Sequence, residues 1–280
     1  MNDIIQGSSK WLELRKQYIT GTDASIIMHC NPWRTPYALW RQKMDLDPPE
    51  EENQAMRRGT ELEPIAREWF IQKTGIYCEP KVVFKDFMMA SLDGLSSDQK
   101  SVVEIKCGSK AFAQAEAGEI AEYYMCQLMH QMECANVNKA YYVAFNGKEG
   151  IVLHVHRDQN FINQMIKKER EFYECLVSFT PPPMTNKDYC LRTDESWIEL
   201  AENYRLAYQE LKEAEKLEKE LKEKLIELAA QQSSMGSGIK LSKIAKKGTI
   251  DYSLIPELKE VNLEPYRKKT IEYWKITLDS

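Results

Sequence analysis

The chain has 280 residues, of which 43% are hydrophobic and 29% are charged. This balance suits a folded globular protein and excludes wholesale disorder, collagen and low-complexity scaffolds. The net charge of −5 excludes a polycation that coats nucleic acid over its whole surface, but it leaves room for a local basic binding surface.

No apolar run reaches the ~18 residues needed to span a bilayer, and the first residues lack the apolar stretch of a signal peptide. We therefore expect a cytoplasmic protein without membrane contact. The seven cysteines form no CxxC pair, so we expect reduced thiols, mostly in the core. The spacing of Cys and His does not indicate a zinc site.

Hydrophobic periodicity predicts helices and strands over the first 180 residues. In chain order we expect helices over 24–28, 60–74, 120–134 and 159–177, and strands over 81–84, 87–92, 101–107, 139–145 and 150–156. Asn146-Gly147 is a hairpin turn signal between the last two strands. From residue 60 onward the order αβββαββα predicts an α/β fold in which helices flank a mixed sheet.

A run of three prolines, 181–183, separates this part from a segment rich in Glu, Lys, Leu and Ala. Apolar residues recur there every three or four positions, which predicts one long amphipathic helix over 195–232, either on the surface or in a coiled coil. We expect two domains, a core at 1–194 and an extension at 195–280. The extension holds the long helix and a short tail, in which 266–278 alternates enough to predict a strand.

The most informative residues are those of an S-L-D-G motif and of an E-I-K motif that begins ten residues after its glycine. We expect Asp93-Gly94 to end one strand in a turn. Glu104 and Lys106 alternate with Ile105 along the next strand, so they share a face on which Asp93 converges. Two carboxylates and the Ile105 carbonyl form an oxygen-only donor set that suits Mg²⁺ or Mn²⁺, and a lysine beside it can stabilise charge on phosphate. The alternative is a half-buried strand with exposed charges beside an ordinary hairpin.

Two further groups of residues also fit phosphate chemistry. Glu63 opens the predicted helix at 60–74, where it is either a partner of the helix dipole or a third ligand. Arg15 offers a guanidinium fork, and Thr20 and Thr22 offer hydroxyls at a helix start, a combination that fits a phosphate group. A surface arginine beside an ordinary helix cap explains the same residues.

Gln127 and Gln131 lie one helical turn apart on an otherwise apolar helix. They either face a site or form a hydrogen bond between helices. We expect His130 to be structural rather than a general base.

Taken together, the motifs W-x3-R, T-G-T-D-A, G-x3-E-P, S-x-D-G, E-x-K and Q-x3-Q resemble the phage-type alkaline exonucleases. These are the lambda exonuclease relatives, or YqaJ-type viral recombinases, of the PD-(D/E)xK nuclease superfamily. Each motif alone is common, but six in this order over residues 8–180 are specific. One departure is the leucine of S-L-D-G, where a proline often precedes the aspartate; that residue shapes the turn and ligates nothing.

The resemblance implies a restriction-endonuclease-like mixed sheet flanked by helices, here with a long-helix extension. It also implies roles for individual residues. The implied metal ligands are Asp93, Glu104, the Ile105 carbonyl and Glu63. The implied catalytic residues are these acids with Lys106 and Gln127. The implied contacts to the 5′-phosphate and DNA are Arg15, Thr20, Thr22 and Gln131.

The activity implied is Mg²⁺-dependent digestion of one strand of a DNA duplex from its end, 5′→3′, leaving a 3′ single strand; Mn²⁺ should substitute. A ring-shaped homo-oligomer, usually a trimer, and a phage single-strand annealing protein as partner are implied as well, in the cytoplasm of a bacterium that carries the phage or prophage. Two alternatives stay open: a PD-(D/E)xK endonuclease or nickase, and a non-catalytic DNA-binding assembly protein that works through the long helix.

Overall fold

The computed structural model describes residues 4–48, 54–251 and 254–259, together with the single positions 261, 266, 268, 271, 274 and 276. The chain divides into two compact units between Cys190 and Leu191, whereas the boundary expected from the sequence lies after residue 194. Over the described ranges, no helix has the length and apolar character that crossing a membrane requires.

The residues before the main sheet are largely helical. In chain order they form α1 (Ser9–Gln17), β1 (Ile19–Thr20), α2 (Gly21–Ile27), α3 (Pro36–Lys43) and α4 (Gln54–Thr74). The predicted helices at 24–28 and 60–74 correspond to α2 and α4, but both begin earlier.

The helix α4 continues through Pro64, although this proline removes one helical hydrogen bond. Ala66 and Phe70 on the same helix are fully buried, and this burial against the sheet offsets the loss. The predicted start at residue 60 is therefore wrong. Glu63 lies well inside the helix, so it is not a partner of the N-terminal dipole.

The remainder of the first unit alternates strands and helices. Its elements are β2 (Cys78–Lys85), β3 (Met88–Ser96), β4 (Ser101–Cys107), α5 (Ser109–Glu116), α6 (Glu122–Ala135), β5 (Lys139–Phe145), β6 (Gly150–His156) and α7 (Gln159–Val177). The strands of the first unit form a six-stranded mixed sheet in the order β1-β3-β4-β5-β6, with β2 paired to β3. This confirms the predicted restriction-endonuclease-like α/β fold with a mixed sheet and flanking helices.

The directions of the strands follow from their connections. β4 and β5 are parallel and are joined by a crossover through α5 and α6, whereas β5 and β6 form an antiparallel hairpin. At the predicted turn, the Asn146 side chain accepts hydrogen bonds from the backbone N–H groups of Lys148 and Glu149 at 2.9 and 3.1 Å. The sheet thus presents β3 and β4, the two motif-bearing strands, side by side at its centre.

Two clusters of buried apolar side chains cover the two faces of the sheet. In the larger cluster, Leu128 and Met132 of α6 lie with Tyr142 of β5. In the smaller cluster, Phe70 of α4 lies with Ile105 of β4. Because side chains alternate along β4, the burial of Ile105 under α4 turns its two neighbours in sequence towards α6. This alternation positions the site described below.

The second unit contains α8 (Glu195–Leu228) and a hairpin of β7 (Ser234–Gly236) with β8 (Ile239–Leu241). The predicted long helix begins at the expected residue and ends four residues earlier than expected. The small hairpin was not predicted. Eight of the thirteen positions of the strand expected at 266–278 lie outside the described residues.

A buried ion pair ties three elements of the first unit together. His130 on α6 places Nδ1 2.8 Å from the Glu169 carboxylate on α7 and Nε2 3.1 Å from the Met89 carbonyl on β3. Both neighbours are acceptors, an arrangement that favours the imidazolium form, in which both ring nitrogens donate. Burial lowers the pKa of His130, but the Glu169 carboxylate outweighs it and raises the pKa well above the usual value.

We expect His130→Leu to lower the free energy of unfolding by about 3–5 kcal/mol, because Glu169 would remain buried without a partner. The double variant with Glu169→Leu should lose less. Since the folded pKa is raised, the stabilisation is complete below the unfolded pKa of about 6.5 and is lost as the pH rises through the folded value. Urea unfolding across pH measures both effects; equal losses in the single and double variants would contradict the pairing.

Candidate active site

Asp93 and Glu104 lie on neighbouring strands, at the point where the backbone pairing between those strands ends. β3 and β4 are antiparallel, with Gly94 opposite Val103. One position further along, the Asp93 carboxylate accepts a hydrogen bond from the Ile105 backbone N–H, with 2.8 Å between Oδ2 and N. The side chain replaces a strand-to-strand hydrogen bond and is held beside the E-I-K motif.

Asp93-Gly94 does not form the turn that was expected from the sequence. Both residues lie inside β3, which continues to Ser96 before the chain turns. A Cβ at position 94 would lie 2.7 Å from the Cys78 sulfur and 3.1 Å from the Val103 Cβ. Glycine is therefore required by the close approach of neighbouring strands, and the predicted Asp-Gly turn is wrong.

Glu104 is the buried centre of the site, with 1% of its surface exposed. Its Oε1 forms an ion pair with the Lys106 ammonium. Its Oε2 accepts a hydrogen bond from Gln131 Nε2 at 2.5 Å. The Lys106 ammonium also lies 5.0 Å from the centroid of the Tyr124 ring on α6. The carboxylate is thus fixed from both sides, by its own strand and by α6.

The two glutamines of α6 occupy different places from those expected. Gln131, predicted to contact DNA, has 1% of its surface exposed and instead orients Glu104, so that assignment is corrected. Gln127 is half-buried and packs against α2, where a Cβ on Gly21 would lie 3.2 Å from its Cγ. Gln131 thus faces the site through Glu104, and the hydrogen bond joins a helix to a strand rather than two helices.

Arg67 joins α4 to the carboxylates, and the sequence analysis missed it. Its Nη2 donates to Glu63 Oε1 at 2.5 Å, and its Nε donates to the Asp93 backbone carbonyl at 2.7 Å. The signal that was available is the spacing of four residues from Glu63, which places the two side chains on one helix face. Arg67 thereby holds Glu63 beside β3 instead of leaving it in solvent.

Burial and mutual repulsion both raise the pKa values of Asp93 and Glu63 at the site. Burial raises the pKa of Asp93 well above its usual range, and the neighbouring Glu104 adds to the rise. Burial also raises the pKa of Glu63, against the opposing effect of Arg67. Burial would lower the pKa of Lys106, but the Glu104 and Asp93 carboxylates outweigh it and raise the pKa. Added positive charge would be stabilised here.

The donor atoms suit a hard divalent cation. In the ranges that the structure describes, no three Cys, His, Asp or Glu side chains converge into a metal-binding cluster. Mg²⁺ does not require one, since it usually binds through one or two carboxylates, with water and substrate phosphate completing its octahedron. Asp93 and Glu104 fit this pattern. Because Arg67 binds the Glu63 carboxylate, Glu63 would have to share its oxygens with Arg67 in order to ligate a cation.

Arg15 and Thr22 form a second polar group at the N-terminus. Arg15 Nη2 donates to Thr22 Oγ1 at 3.2 Å, and the guanidinium lies 4.6 Å from the centroid of the Trp11 ring. Trp11 in turn donates from Nε1 to Ser91 Oγ at 2.8 Å. Since Ser91 is two residues before Asp93 on β3, this chain of contacts fixes Arg15 relative to the carboxylates.

A buried ion pair between Asp23 and Lys43 stabilises the backbone beside this group. Asp23 Oδ2 accepts from the Thr20 backbone N–H at 2.8 Å and lies 2.7 Å from Lys43 Nζ. Burial raises the pKa of Asp23, but Lys43 and Arg15 outweigh it and lower the pKa. The Thr20 side chain is buried, with its hydroxyl 3.1 Å from that of Thr22. Thr22 is exposed, so it is the hydroxyl that a ligand can reach.

A row of aromatic rings leads outward from Lys106, and the sequence analysis did not find it. The Tyr124 ring contacts Tyr123 edge to face at a centroid distance of 4.3 Å, and Tyr123 contacts Trp33 at 5.2 Å. Trp33 is 69% exposed. Tyr123 and Tyr124 are adjacent on α6, but Trp33 comes from a distant segment, so no local pattern could reveal the row.

Comparison with known proteins supports the resemblance stated above. Residues 10–138 match the family described as the YqaJ-like viral recombinase domain. A relative from Bacillus subtilis (strain 168), described as the uncharacterized protein YqaJ, is 31% identical over an alignment of 178 residues that covers 60% of this chain. The match covers 56% of that relative, so the chain spans little more than half of its length.

Solved structures show the same fold. The alkaline exonuclease LHK-Exo from Laribacter hongkongensis superposes with a TM-score of 0.55 at 25% identity, over 62% of this chain and 94% of that one. A structure of LHK-Exo in complex with dAMP gives 0.54 at 24% identity over the same shares.

Proposed function

We propose that the protein is a Mg²⁺-dependent exonuclease, because residues 10–138 match the family described as the YqaJ-like viral recombinase domain. It digests the 5′-ended strand of linear double-stranded DNA 5′→3′ and leaves a 3′ single strand for recombination. The observation that carries the proposal is the buried pair of Asp93 and Glu104 with Lys106 beside it.

In this proposal each residue of the site has a distinct role. Asp93 and Glu104 hold the cation, Mg²⁺ or in its place Mn²⁺, with the Ile105 carbonyl as a further oxygen. When bound, the cation supplies Lewis-acid charge at the scissile phosphate and lowers the pKa of water. Lys106 contributes a fixed positive charge where negative charge develops on phosphate. Gln131 holds the Glu104 carboxylate in place, and Arg67 holds the Glu63 carboxylate and the Asp93 backbone carbonyl.

The polarity rests on Arg15 and Thr22. A terminal phosphate carries up to two negative charges, against one for an internal diester, so a guanidinium fork with a hydroxyl favours the end of a strand. The contacts through Trp11 and Ser91 connect this pair to the strand of Asp93. Anchoring of the 5′-phosphate there would present the next phosphodiester to the carboxylates, and repeated cleavage proceeds 5′→3′.

We expect the wild-type protein to digest 5′-phosphate ends faster than 5′-hydroxyl ends, and Arg15→Ala to erase most of the difference. One charge-assisted interaction is worth about 1–3 kcal/mol, or about 5- to 150-fold in rate. Initial rates on matched duplexes that differ only at the 5′ end measure the effect.

Lys10→Ala is the matched control for this test, because Lys10 is an exposed cation on the same helix. It should preserve the preference. Arg15→Lys should recover only part of it, since an ammonium cannot make the bidentate contact. Equal wild-type rates on 5′-phosphate and 5′-hydroxyl ends would show that Arg15 and Thr22 do not recognise the terminal phosphate.

The assembly and partners are part of the proposal. The family implies a ring-shaped homo-oligomer, a trimer, that encloses the duplex, and a net charge of −5 is compatible with this because only the channel must be positive. It also implies a phage single-strand annealing protein as the partner that receives the 3′ strand. Both would act in the cytoplasm of the bacterial host.

One experiment separates this function from its alternatives. Linear duplexes labelled at either strand end and closed circular DNA are incubated with and without Mg²⁺. Loss of 5′ label from linear DNA alone supports the exonuclease, whereas cut or nicked circles would indicate an endonuclease. Binding without hydrolysis under any divalent cation would favour the non-catalytic assembly protein, and preferential loss of 3′ label would reverse the polarity.

A further inference from the structure

Trp33 lies at the outer end of the row of aromatic rings that begins beside Lys106. The Lys106 ammonium is 5.0 Å from the centroid of the Tyr124 ring. Tyr123 joins Tyr124 to Trp33 through edge-to-face contacts, at centroid distances of 4.3 and 5.2 Å. An edge-to-face contact occupies at most one of the two faces of an indole, and the first unit leaves the Trp33 ring open to a planar ligand.

The loop that carries Trp33 is fixed by hydrogen bonds. Asn31 Oδ1 accepts from the backbone N–H groups of Trp33 and Arg34 at 2.9 and 3.0 Å, and such a turn holds the backbone in one conformation. The backbone N–H of Asn31 donates to the Ser25 carbonyl of α2 at 3.0 Å. A ring that is already held in place loses little conformational entropy when it binds a ligand, so Trp33 is preorganised for binding.

The helix α6 extends from the carboxylates to Trp33. Near the C-terminal end of the helix, Gln131 binds Glu104, and near its N-terminal end, Tyr123 contacts Trp33. Residues 123 and 131 are separated by about 12 Å along the helix axis, at a rise of ~1.5 Å per residue. Trp33 is therefore remote from the cation, at a position that suits the next nucleotide of a strand whose phosphate lies at the carboxylates.

The proposed contacts to the 5′-phosphate lie towards the other end of α6. A Cβ on Gly21, the residue before Thr22, would lie 3.7 Å from Gln131 Cγ. From there α2 and the loop after it run along α6 in the opposite direction, until Trp33 reaches Tyr123. A strand that is anchored by its 5′-phosphate at Thr22 and crosses the carboxylates would therefore continue towards Trp33.

We propose that Trp33, supported by Tyr123, is a stacking site for a DNA base, that of the second nucleotide of the digested strand, on the 3′ side of the scissile phosphate. This inference rests on the proposed nuclease function. Every base has a planar π face, so stacking does not select a sequence and suits an enzyme that accepts any end. The aromatic face would replace the neighbouring base that this nucleotide loses when the end of the duplex opens.

The test removes the tryptophan, the base or both. The affinity of the full-length chain is measured in Ca²⁺ for a 5′-phosphorylated duplex and for the same duplex with an abasic site at the second nucleotide. Trp33→Ala and the abasic site should each lower the affinity by about 5- to 150-fold, the range for one stacked base. Together they should lower it little further than either alone, because they remove the same contact. Independent losses that multiply would overturn the proposal.

Controls test whether the effect is specific to this ring and this base. Trp33→Phe keeps an aromatic face and should retain most of the affinity. Tyr77→Ala removes another aromatic ring of the first unit, which is 55% exposed, and should leave the affinity unchanged. An abasic site at the eighth nucleotide should act independently of Trp33→Ala. An equal loss of affinity for Tyr77→Ala would show a general effect of surface rings and contradict a stacking site at Trp33.

Hydrolysis in Mg²⁺ separates this proposal from the proposed nuclease function. Coupling between Trp33→Ala and the abasic site, without hydrolysis of the unmodified duplex, would support the stacking site and contradict the nuclease. Hydrolysis without coupling would leave the nuclease in place and overturn the stacking site. A wild-type chain that binds no DNA would overturn both.

Discussion

Asp93→Asn is expected to lower the rate of DNA hydrolysis by at least about 1,000-fold. A bound divalent cation contributes several kcal/mol to stabilising a phosphoryl transition state, and each 1.36 kcal/mol is a factor of ten. Asparagine keeps the shape of the side chain and an oxygen that can accept from the Ile105 N–H, so the change removes charge rather than structure. Single-turnover rates in Mg²⁺ and Mn²⁺ measure the effect.

The stability of this variant provides a second readout. Burial and Glu104 raise the pKa of Asp93, which means that its ionised form costs free energy in the folded protein at neutral pH. Without added metal, Asp93→Asn should therefore unfold at the same urea concentration as the wild type or at a higher one. Mg²⁺ should raise the unfolding temperature of the wild type but not of the variant, because only a site that binds gains stability.

Controls keep the interpretation specific. Asp98→Asn changes an exposed aspartate in the turn after the same strand and should leave the rate unchanged. Glu104→Gln should match Asp93→Asn, whereas Glu63→Gln should lose less, since Arg67 already binds that carboxylate. Ca²⁺ should bind the wild type yet support little cleavage. A near wild-type rate for Asp93→Asn would show that the chemistry lies elsewhere.

The regular elements could be predicted because their patterns are local. The strands at 101–107, 139–145 and 150–156 and the helix at 159–177 agree with the structure residue for residue, since short apolar runs and alternation are bounded there by turn signals. The two-residue strand β1 was missed, because its pairing with β3 is a contact distant in sequence. The helix α5 was missed in the connection before α6.

In the site as well, local features could be predicted from the sequence and contacts between distant elements could not. Alternation along one strand places Glu104 and Lys106 on one face, and this could be read from the sequence. The orientation of α4 and α6 on the sheet could not be read from the sequence. That orientation brings Arg67 to the Asp93 carbonyl and Gln131 to Glu104. Gly94 shows the same limit, because a glycine required by the Cys78 side chain looks in sequence like a glycine required by a turn.

Lys106→Met is expected to lower the single-turnover rate by about 100- to 1,000-fold, the usual loss when one fixed group that stabilises developing charge is removed. The affinity for DNA should change far less, because one ammonium among many phosphate contacts contributes little to binding. Binding is measured in Ca²⁺ and cleavage in Mg²⁺. Equal losses of affinity and rate would make Lys106 an ordinary phosphate contact.

Lys106→Met should also destabilise the metal-free protein, since Lys106 opposes the burial and mutual repulsion of the site carboxylates. Assays must therefore run well below the unfolding temperature of the variant. Lys139→Met is the matched control: Lys139 is a strand lysine whose ammonium lies 5.3 Å from the Tyr141 ring centroid, as Lys106 lies beside Tyr124. Because no carboxylate pair faces Lys139 in the described contacts, its loss should affect neither rate nor stability by more than about 0.5 kcal/mol. Only a lysine that acts on the reacting phosphate would separate the two variants in rate while leaving their DNA affinities alike.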